Sequence, residues 1–185
     1  MFDLRQRFVI GVKRALYSRR GEPYRFAGQT LRYVPGTRPV RMQYLYSQNW
    51  VNRYDALQVA WLDSHLRQGD TAMDVGAHHG IYSILMAAKC GKEGYVVAFE
   101  PDPHAREVLA RNVALNPGLK PPTIESSACS DQIGSAILFS RGGNSLSSLV
   151  KSGVGASAVH MPEEISVATL TLDSYVSNAD LRRVA

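Results

Sequence analysis

The hydrophobic positions of this chain follow two periods, and their alternation predicts strands and helices in turn. Short apolar runs predict core strands, whereas apolar residues at every third or fourth position predict helices. The predicted core strands span 72–75, 95–99 and 123–129, and the predicted helices span 54–66, 81–89 and 104–114. In the helix over 54–66, the residues expected to face inward are Leu57, Ala60, Trp61 and Leu66. Strands that alternate with helices indicate an α/β fold.

A further strand pair is predicted after this core, at 135–140 and 165–172. The two strands are joined by a loop rich in Gly and Ser over 142–155, which we expect to be mobile or to face substrate. Asn144, Ser145 and Ser147 of this loop are candidates for substrate contact, although polar residues are common in any loop.

The N-terminal part has a different pattern. Apolar residues at nearly helical spacing among basic ones predict an amphipathic helix over 2–20. Two strands, 24–34 and 40–46, are predicted around the turn Pro35-Gly36-Thr37. We therefore divide the chain into an N-terminal helix and β-hairpin cap over residues 1–52 and an α/β domain over residues 53–185.

The segment Asp74 to Gly80 reads D-V-G-A-H-H-G and lies between a predicted strand and a predicted helix. Gly76 and Gly80 allow the backbone to turn sharply and to approach a ligand closely. Dinucleotide-binding loops have three glycines spaced G-x-G-x-x-G around a pyrophosphate, and this loop has D-x-G-x-x-x-G. Because the carboxylate of Asp74 would repel a pyrophosphate but can accept from an ammonium group, the loop argues against NAD and favours a nucleoside that carries an amino acid.

The predicted strand 95–99 ends at Glu100, which lies 24 residues beyond Gly76. An acid at this place can accept hydrogen bonds from both hydroxyls of a ribose. Pro101 then turns the chain, and Asp102 and Pro103 start the next helix. The alternative is an exposed acid that merely follows a core strand, but the strand, loop and helix at the right spacing favour the nucleoside site.

Six motifs resemble, in order and spacing, those of the FkbM family of S-adenosylmethionine-dependent methyltransferases. They are the loop over 74–80, A-F-E-P-D over 98–102, N-V-A-L-N over 112–116, A-C-S-D over 128–131 with Gly134, N-S-L over 144–146 and T-L-T-L-D over 169–173. The first two occur in many methyltransferases, whereas the later three point to this family in particular. The resemblance covers about residues 53 to 185. It implies a Rossmann-like class I methyltransferase fold and methyl transfer, commonly to a hydroxyl of a sugar, polysaccharide or natural product.

The loop, the acid and the resemblance together identify candidate residues for binding S-adenosylmethionine. They are Asp74, Gly76, Ala77, His78, Gly80, Glu100, Pro101, Asp102 and Ala128. His78 could donate to the methionine carboxylate or could serve only in local packing. The resemblance places the adenine ring beside Ala128, where a small side chain leaves room. The sequence shows no evident general base, so the catalytic residues are unknown, and no metal is required.

The family pattern continues with a strand that carries K-x-D-V-E-G, and this chain stops at Ala185, where that strand should begin. We therefore expect a truncated domain in which Ala72 to Val75 form an exposed sheet edge. Residues 1–185 alone are then expected to be poorly soluble or oligomeric and not to transfer methyl groups. The alternatives to an active enzyme are an inactive fragment that acts as a binding or interaction module and, with less support, an NAD-linked oxidoreductase.

Composition and charge set bounds on these interpretations. With 45% hydrophobic and 20% charged residues among 185, the chain is of the globular class, not the disordered or collagen-like class. Two cysteines without metal-site spacing indicate a reducing compartment, and the sequence has neither an apolar run long enough for a membrane span nor a signal peptide. We expect a cytoplasmic protein.

The positive charge is concentrated at the N-terminus. Residues 1–41 carry ten Lys or Arg and two acids, a net charge of +8, whereas the rest carries eleven basic and fourteen acidic residues, a net charge of −3. A basic amphipathic helix can lie on an anionic membrane surface or on nucleic acid. We favour a helix that packs on its own domain, because aromatic residues are sparse among the charges. Peripheral membrane contact stays open, no nucleic-acid partner is expected, and the oligomeric state is unknown.

Overall fold

The structure, a computed structural model, describes residues 12, 15–37, 51–140, 142, 147–149, 163–179 and 181. In chain order its elements are β1 (Glu22–Phe26), β2 (Gln29–Tyr33), α1 (Val51–His65), β3 (Thr71–Val75), α2 (Ile81–Cys90), β4 (Tyr95–Phe99), α3 (Pro103–Ala114), β5 (Thr123–Glu125), β6 (Ala128–Cys129), β7 (Gly134–Ser140), β8 (Glu163–Leu170) and α4 (Leu172–Asn178).

A parallel sheet forms the centre of the fold, with strand order β3-β4-β5. Its register pairs Thr71 with Tyr95 and Val97 with Thr123. β4 is almost wholly buried, as expected for a strand that has a neighbour on each side and is covered by other elements. The predicted strands 72–75 and 95–99 and the predicted helices 81–89 and 104–114 are confirmed to within one residue.

The prediction of one continuous third strand over 123–129 is wrong. The segment divides into β5, which pairs with β4, and β6, in which Ala128 pairs with Thr169 of another sheet. The side chain of Glu125 explains the break, because its Oε1 accepts from both the N–H and the hydroxyl of Ser127, at 3.1 Å and 3.0 Å. This local turn competes with the ladder and redirects the chain.

The strand pair predicted after the core is confirmed. β7 and β8 are antiparallel, and the second sheet has the order β6-β8-β7. The last strand ends at Leu170, two residues before its predicted end, because the hydroxyl of Thr171 accepts from the N–H of Ser174 and begins α4. Of the predicted loop 142–155, the structure describes Gly142 and 147–149.

The N-terminal hairpin turns earlier than predicted. β1 and β2 are joined by Ala27 and Gly28, both with left-handed φ angles, 47° and 75°. Such a two-residue turn matches the twist of the strands it joins, but alanine is a poor signal for it. The predicted turn at 35–37 instead follows β2, and the predicted strand 40–46 lies outside the described residues. Of the predicted helix 2–20, the structure describes residues 12 and 15–20, with helix at 12 and 15–17.

Helix α1 presents a different face from the one predicted. Leu57 and Trp61 have exposed fractions of 62% and 54%, and Ala60 is exposed as well. The inward face consists of Val59, Leu62 and Leu66, which are spaced to lie on one side of the helix. Of the four residues expected to face inward, Leu66 is therefore the one that does.

The hairpin packs on the α/β core. Phe26, Leu31 and Tyr33 belong to the same buried cluster as Ile84 and Leu85 of α2. This contact agrees with a cap, while the domain boundary at residue 52 stays a prediction.

Among the described residues β3 pairs with β4 alone, and Val75 at its end is half exposed. Within the same residues, no helix is both long and apolar enough to cross a bilayer.

Candidate functional site

A cleft of about 370 Å³ opens at the carboxyl ends of β3 and β4, where the parallel sheet meets the second sheet. Ligands of open α/β folds bind at this end of the strands. One side of the cleft is lined by Val75, Gly76, His78, Phe99, Glu100, Pro101 and Asp102, and the other by Ala128, Cys129, Leu138, Ser147, Ser148 and Leu149. We call the first side the floor and the second side the wall.

The floor begins with the glycine loop over 76–80. Gly76, His78 and Gly80 have left-handed φ angles of 77°, 49° and 71°. The N–H groups of Gly76 and Ala77 both donate to the carbonyl of Phe99 at 2.9 Å, which ties the loop to the end of β4. A Cβ at Gly76 would meet no protein atom within 4 Å, so this glycine serves the backbone angle and leaves open space beside the cleft.

Gly80 and Ala77 lie in packed surroundings beside Leu109 of α3. A Cβ at Gly80 would lie 2.7 Å from Cγ of Leu109, so the start of α2 can approach α3 only without a side chain here. Ala77 is buried against Ala98 and Leu109. Neither residue lines the cleft, and ligand contact by them stays a prediction.

Asp74 lies beneath the loop and does not line the cleft. Its buried carboxylate accepts hydrogen bonds from the hydroxyl and the N–H of Ser83, in the first turn of α2. Burial raises the pKa of the Asp74 carboxyl, and the two bonds from Ser83 offset only part of that rise. The acid therefore caps α2, whose preceding residue Gly80 has no side chain to do so.

Glu100 is buried at the floor of the cleft. One carboxylate oxygen accepts from the N–H of His78 at 2.6 Å, and the other accepts from the N–H of Asp102 at 2.8 Å. Each oxygen has two lone pairs, so these bonds orient the carboxylate and leave it able to accept once more on each oxygen. The same glutamate thus fastens the glycine loop and faces the cleft.

Asp102 also lies at the cleft but has a different set of partners. One oxygen accepts from the N–H groups of His104 and Ala105, which caps α3, and the other accepts from the hydroxyls of Ser140 and Ser147 at 2.7 Å and 2.8 Å. Burial by itself raises the pKa of the Asp102 carboxyl, but the hydrogen bonds from Ser140, Ser147 and the helix outweigh it and hold that pKa below its usual range. Asp102 joins the floor to the wall.

His78 lies at the cleft with its ring stacked on that of His79, the centroids 3.7 Å apart. Its backbone, like that of the glycines, is left-handed, which is uncommon for a residue with a side chain. The structure thus brings six of the nine candidate residues to the cleft, namely Gly76, His78, Glu100, Pro101, Asp102 and Ala128.

Sequence reasoning missed most of the wall. Leu138, Leu149 and Cys129 line it, and Leu138 packs with Ala128 and Val167 in a small core of its own. The sequence gives little signal here, because the apolar run over 136–139 does not alternate with polar residues and so does not say which side chains face the cleft. Of the loop residues proposed to meet substrate, Ser147 lines the cleft, and Asn144 and Ser145 lie outside the described residues.

The described residues contain no cluster of acids, histidines and cysteines suited to a metal ion.

The model of the methyltransferase FkbM domain matches residues 74–185, well over half of the chain. The chain belongs to the FkbM methyltransferase family. Comparison with curated proteins gives no match.

The family match begins at Asp74 and so contains every residue that lines the cleft. It confirms the resemblance drawn from the six motifs and makes the protein a methyltransferase. The mixed α/β architecture with its parallel sheet fits the class I methyltransferase fold. The hairpin and α1 precede the matched range.

Proposed function

We propose that the cleft binds S-adenosylmethionine and that the protein transfers its methyl group to a hydroxyl of a small molecule or carbohydrate. The observation that carries the proposal is Glu100, a buried carboxylate at the end of β4 whose two oxygens are oriented by backbone N–H groups and can each accept once more. Two hydroxyls on neighbouring carbons of a ribose are donors at matching spacing.

The rest of the cleft suits the other parts of the nucleoside. Ala128, Leu138 and Leu149 give the wall an apolar surface against which an adenine ring can pack. Ala128 is small enough to leave space for the ring. On the floor, the open space beside Gly76 allows the sulfur-bearing chain to pass close to the backbone. His78 and the loop around it would hold the amino-acid end.

When bound, S-adenosylmethionine supplies a methyl group that is already activated by its sulfonium charge. The protein's own contribution is therefore to orient the acceptor oxygen in line with that methyl group and to exclude water. The acceptor hydroxyl gives up its proton to water or to a base as its oxygen bonds to the methyl carbon and the bond from that carbon to sulfur breaks. The support for a sugar, polysaccharide or natural product as the acceptor is the family resemblance.

The proposed location is the cytoplasm, and its support is that the two cysteines of the sequence have neither disulfide-framework nor metal-site spacing. The exposed arginines Arg19 and Arg20 belong to the basic N-terminal segment, which we propose rests on the domain or on an anionic membrane surface.

Isothermal titration with S-adenosylmethionine, S-adenosylhomocysteine and NAD tests the proposal. The two adenosyl compounds should bind and NAD should not, because the loop lacks the G-x-G-x-x-G spacing with which dinucleotide sites hold a pyrophosphate. Binding of NAD at comparable affinity would overturn the proposal. Release of S-adenosylhomocysteine in the presence of acceptor then separates an enzyme from a binding module.

A further inference from the structure

The N-terminal hairpin is connected to the candidate cofactor site by one buried side chain. Asn112 lies on α3 with no exposed surface, between the end of β2 and the glycine loop. Its Oδ1 accepts from the N–H of Val34 at 2.6 Å, and its Nδ2 donates to the hydroxyl of Thr37 at 3.0 Å and to the carbonyl of His79 at 2.8 Å. One amide group thus bonds to both parts of the protein.

The orientation of this amide is fixed by its backbone partners. The N–H of Val34 can only donate and the carbonyl of His79 can only accept, so the oxygen must face the hairpin and the nitrogen must face the loop. The hydroxyl of Thr37 donates to the carbonyl of Val34 at 2.9 Å, which leaves its oxygen to accept from Asn112. Every polar atom of the Asn112 side chain therefore has a partner.

The chain of contacts continues to the carboxylate proposed to hold the ribose. His79 follows His78, whose N–H donates to Glu100 at 2.6 Å. The His79 carbonyl belongs to the peptide bond with Gly80, so a shift of this carbonyl rotates that peptide and moves the turn that also contains the His78 N–H. His78 has a left-handed φ of 49°, a conformation that persists only where surrounding contacts enforce it.

We propose that Asn112 is a positioning residue for the cofactor site, and that the hairpin segment ending at Thr37 helps to fix the geometry of that site. Val34 and Thr37 hold the Asn112 amide, Asn112 holds the His79 carbonyl, and the turn at His78 then orients Glu100. For its binding readout this inference rests on the proposed function.

The chain offers a matched control four residues away. Asn116 bonds to the same hairpin, since its Oδ1 accepts from the N–H of Arg32 at 2.8 Å and its Nδ2 donates to the Arg32 carbonyl at 2.7 Å. Its third bond goes to the carbonyl of Asn112 and not to the glycine loop. Asn112 and Asn116 therefore dock the hairpin in a similar way, and only Asn112 contacts the loop.

The first experiment compares Asn112→Asp with Asn116→Asp. Each change keeps the acceptor for the hairpin N–H and replaces the amide nitrogen by an oxygen, which repels the carbonyl it faced. Both variants should lose thermal stability, but Asn112→Asp should weaken binding of S-adenosylhomocysteine by about fivefold to tenfold, and Asn116→Asp by less than about twofold. Equal dissociation constants for the two variants would overturn the inference.

Hydrogen exchange of the unliganded protein provides a readout that does not depend on the ligand. Amides in a peptide covering residues 76–82 should exchange faster in Asn112→Asp than in Asn116→Asp. If the natural protein fails to bind any adenosyl compound, the proposed function fails, while faster exchange still supports the Asn112 contact. Unchanged exchange in Asn112→Asp would contradict that contact even if the protein binds the ligand.

Thr37→Val and Thr37→Ser address the case in which a buried aspartate prevents folding. Thr37 does not line the cleft, and valine matches its shape without an oxygen to accept from Asn112. Thr37→Val should weaken S-adenosylhomocysteine binding by about twofold to threefold and speed exchange over 76–82, while Thr37→Ser should restore both. Natural affinity and natural exchange rates in Thr37→Val would contradict a role for the hairpin segment in the site.

Discussion

The two joints between strand and helix in the parallel sheet are built in opposite ways. Between β3 and α2, five residues form a loop with left-handed φ angles at Gly76, His78 and Gly80, and the helix is capped not from the loop but by Asp74 of the strand. Between β4 and α3, three residues suffice, and they include the cap Asp102, with a proline at the start of the helix. The first joint gives up local stability for an unusual backbone path, and the second is fully capped.

The second joint also holds the first in place. Glu100 accepts from the N–H of His78, and the carbonyl of Phe99 accepts from Gly76 and Ala77. Asp102 meanwhile fastens the wall through Ser140 and Ser147. A loop that is shaped for a ligand therefore depends on a neighbouring loop that is shaped for rigidity, which is how preorganised sites are supported. The predictions that follow disturb one joint at a time.

The largest effect is expected for Asp102→Ala. The change leaves the buried hydroxyl of Ser140, the partly buried hydroxyl of Ser147 and the first turn of α3 without their acceptor, so the free energy of unfolding should fall by about 3 kcal/mol. Thermal denaturation should show a fall of roughly 6–12 °C for a chain of this size. Asp131→Ala is the control, since that exposed acid accepts a single bond from Ser130, and it should change stability by less than about 0.5 kcal/mol.

The two glycines of the first joint should differ in stability when each is replaced by alanine. Gly80→Ala combines a left-handed φ with a Cβ only 2.7 Å from Leu109, and should cost about 2–3 kcal/mol. Gly76→Ala has the same backbone cost but open space for its Cβ, and should cost about 1 kcal/mol. Chemical denaturation measures both. Equal losses would mean that α2 moves to relieve the contact with Leu109.

Glu100→Gln should weaken binding and also loosen the glycine loop, because its amide nitrogen must face the N–H of either His78 or Asp102. It removes the charge that strengthens hydrogen bonds from ribose hydroxyls and replaces one acceptor by a donor, so the dissociation constant for S-adenosylhomocysteine should rise by roughly tenfold to a hundredfold, about 1.5–3 kcal/mol. Glu125→Gln is matched to it, because Glu125 ends the neighbouring strand and bonds to Ser127 outside the cleft. Similar affinities for the two variants would place the ribose elsewhere.

The difference between the joints also explains what could be predicted from the sequence. Asp102 and Pro103 mark the start of α3 by local rules, so that boundary was predictable from a few neighbouring residues. The hydrogen bonds that Asp102 accepts from Ser140 and Ser147 join residues 38 and 45 positions apart, and no local pattern predicts them. The candidate site was therefore predictable at its floor and not at its wall.

The errors elsewhere have the same origin. The turn at Ala27 was missed because its left-handed angle is enforced by strand pairing and not by the residue type. The inward face of α1 was misassigned because Leu57 and Trp61 are as apolar as Leu62 and Leu66. Which of two apolar faces is buried depends on where α2 lies, and this is a tertiary property.

The smallest effect concerns pH, and it distinguishes the two joints by its sign. Asp74 and Asp102 are both buried, but their pKa values move in opposite directions. Burial raises the pKa of Asp74 because Ser83 alone provides its hydrogen bonds, whereas the four donors around Asp102 lower its pKa despite burial. The sign of each pKa shift therefore depends on the balance between desolvation and the hydrogen bonds that each carboxylate accepts.

The stability that each group contributes follows from linkage. Asp102 contributes stability above the ordinary aspartate pKa of 3.8, and this is lost as the pH falls through its lowered value. For Asp74, stability is greatest below 3.8 and is lost as the pH rises through its raised value. Denaturation of the natural protein, Asp74→Asn and Asp102→Asn between about pH 3 and pH 7 measures both. Relative to the natural protein, Asp102→Asn should become less destabilising as the pH falls. Asp74→Asn should become more destabilising over the same range. Slopes of the same sign would mean that the hydrogen bonds around Asp102 do not outweigh its burial.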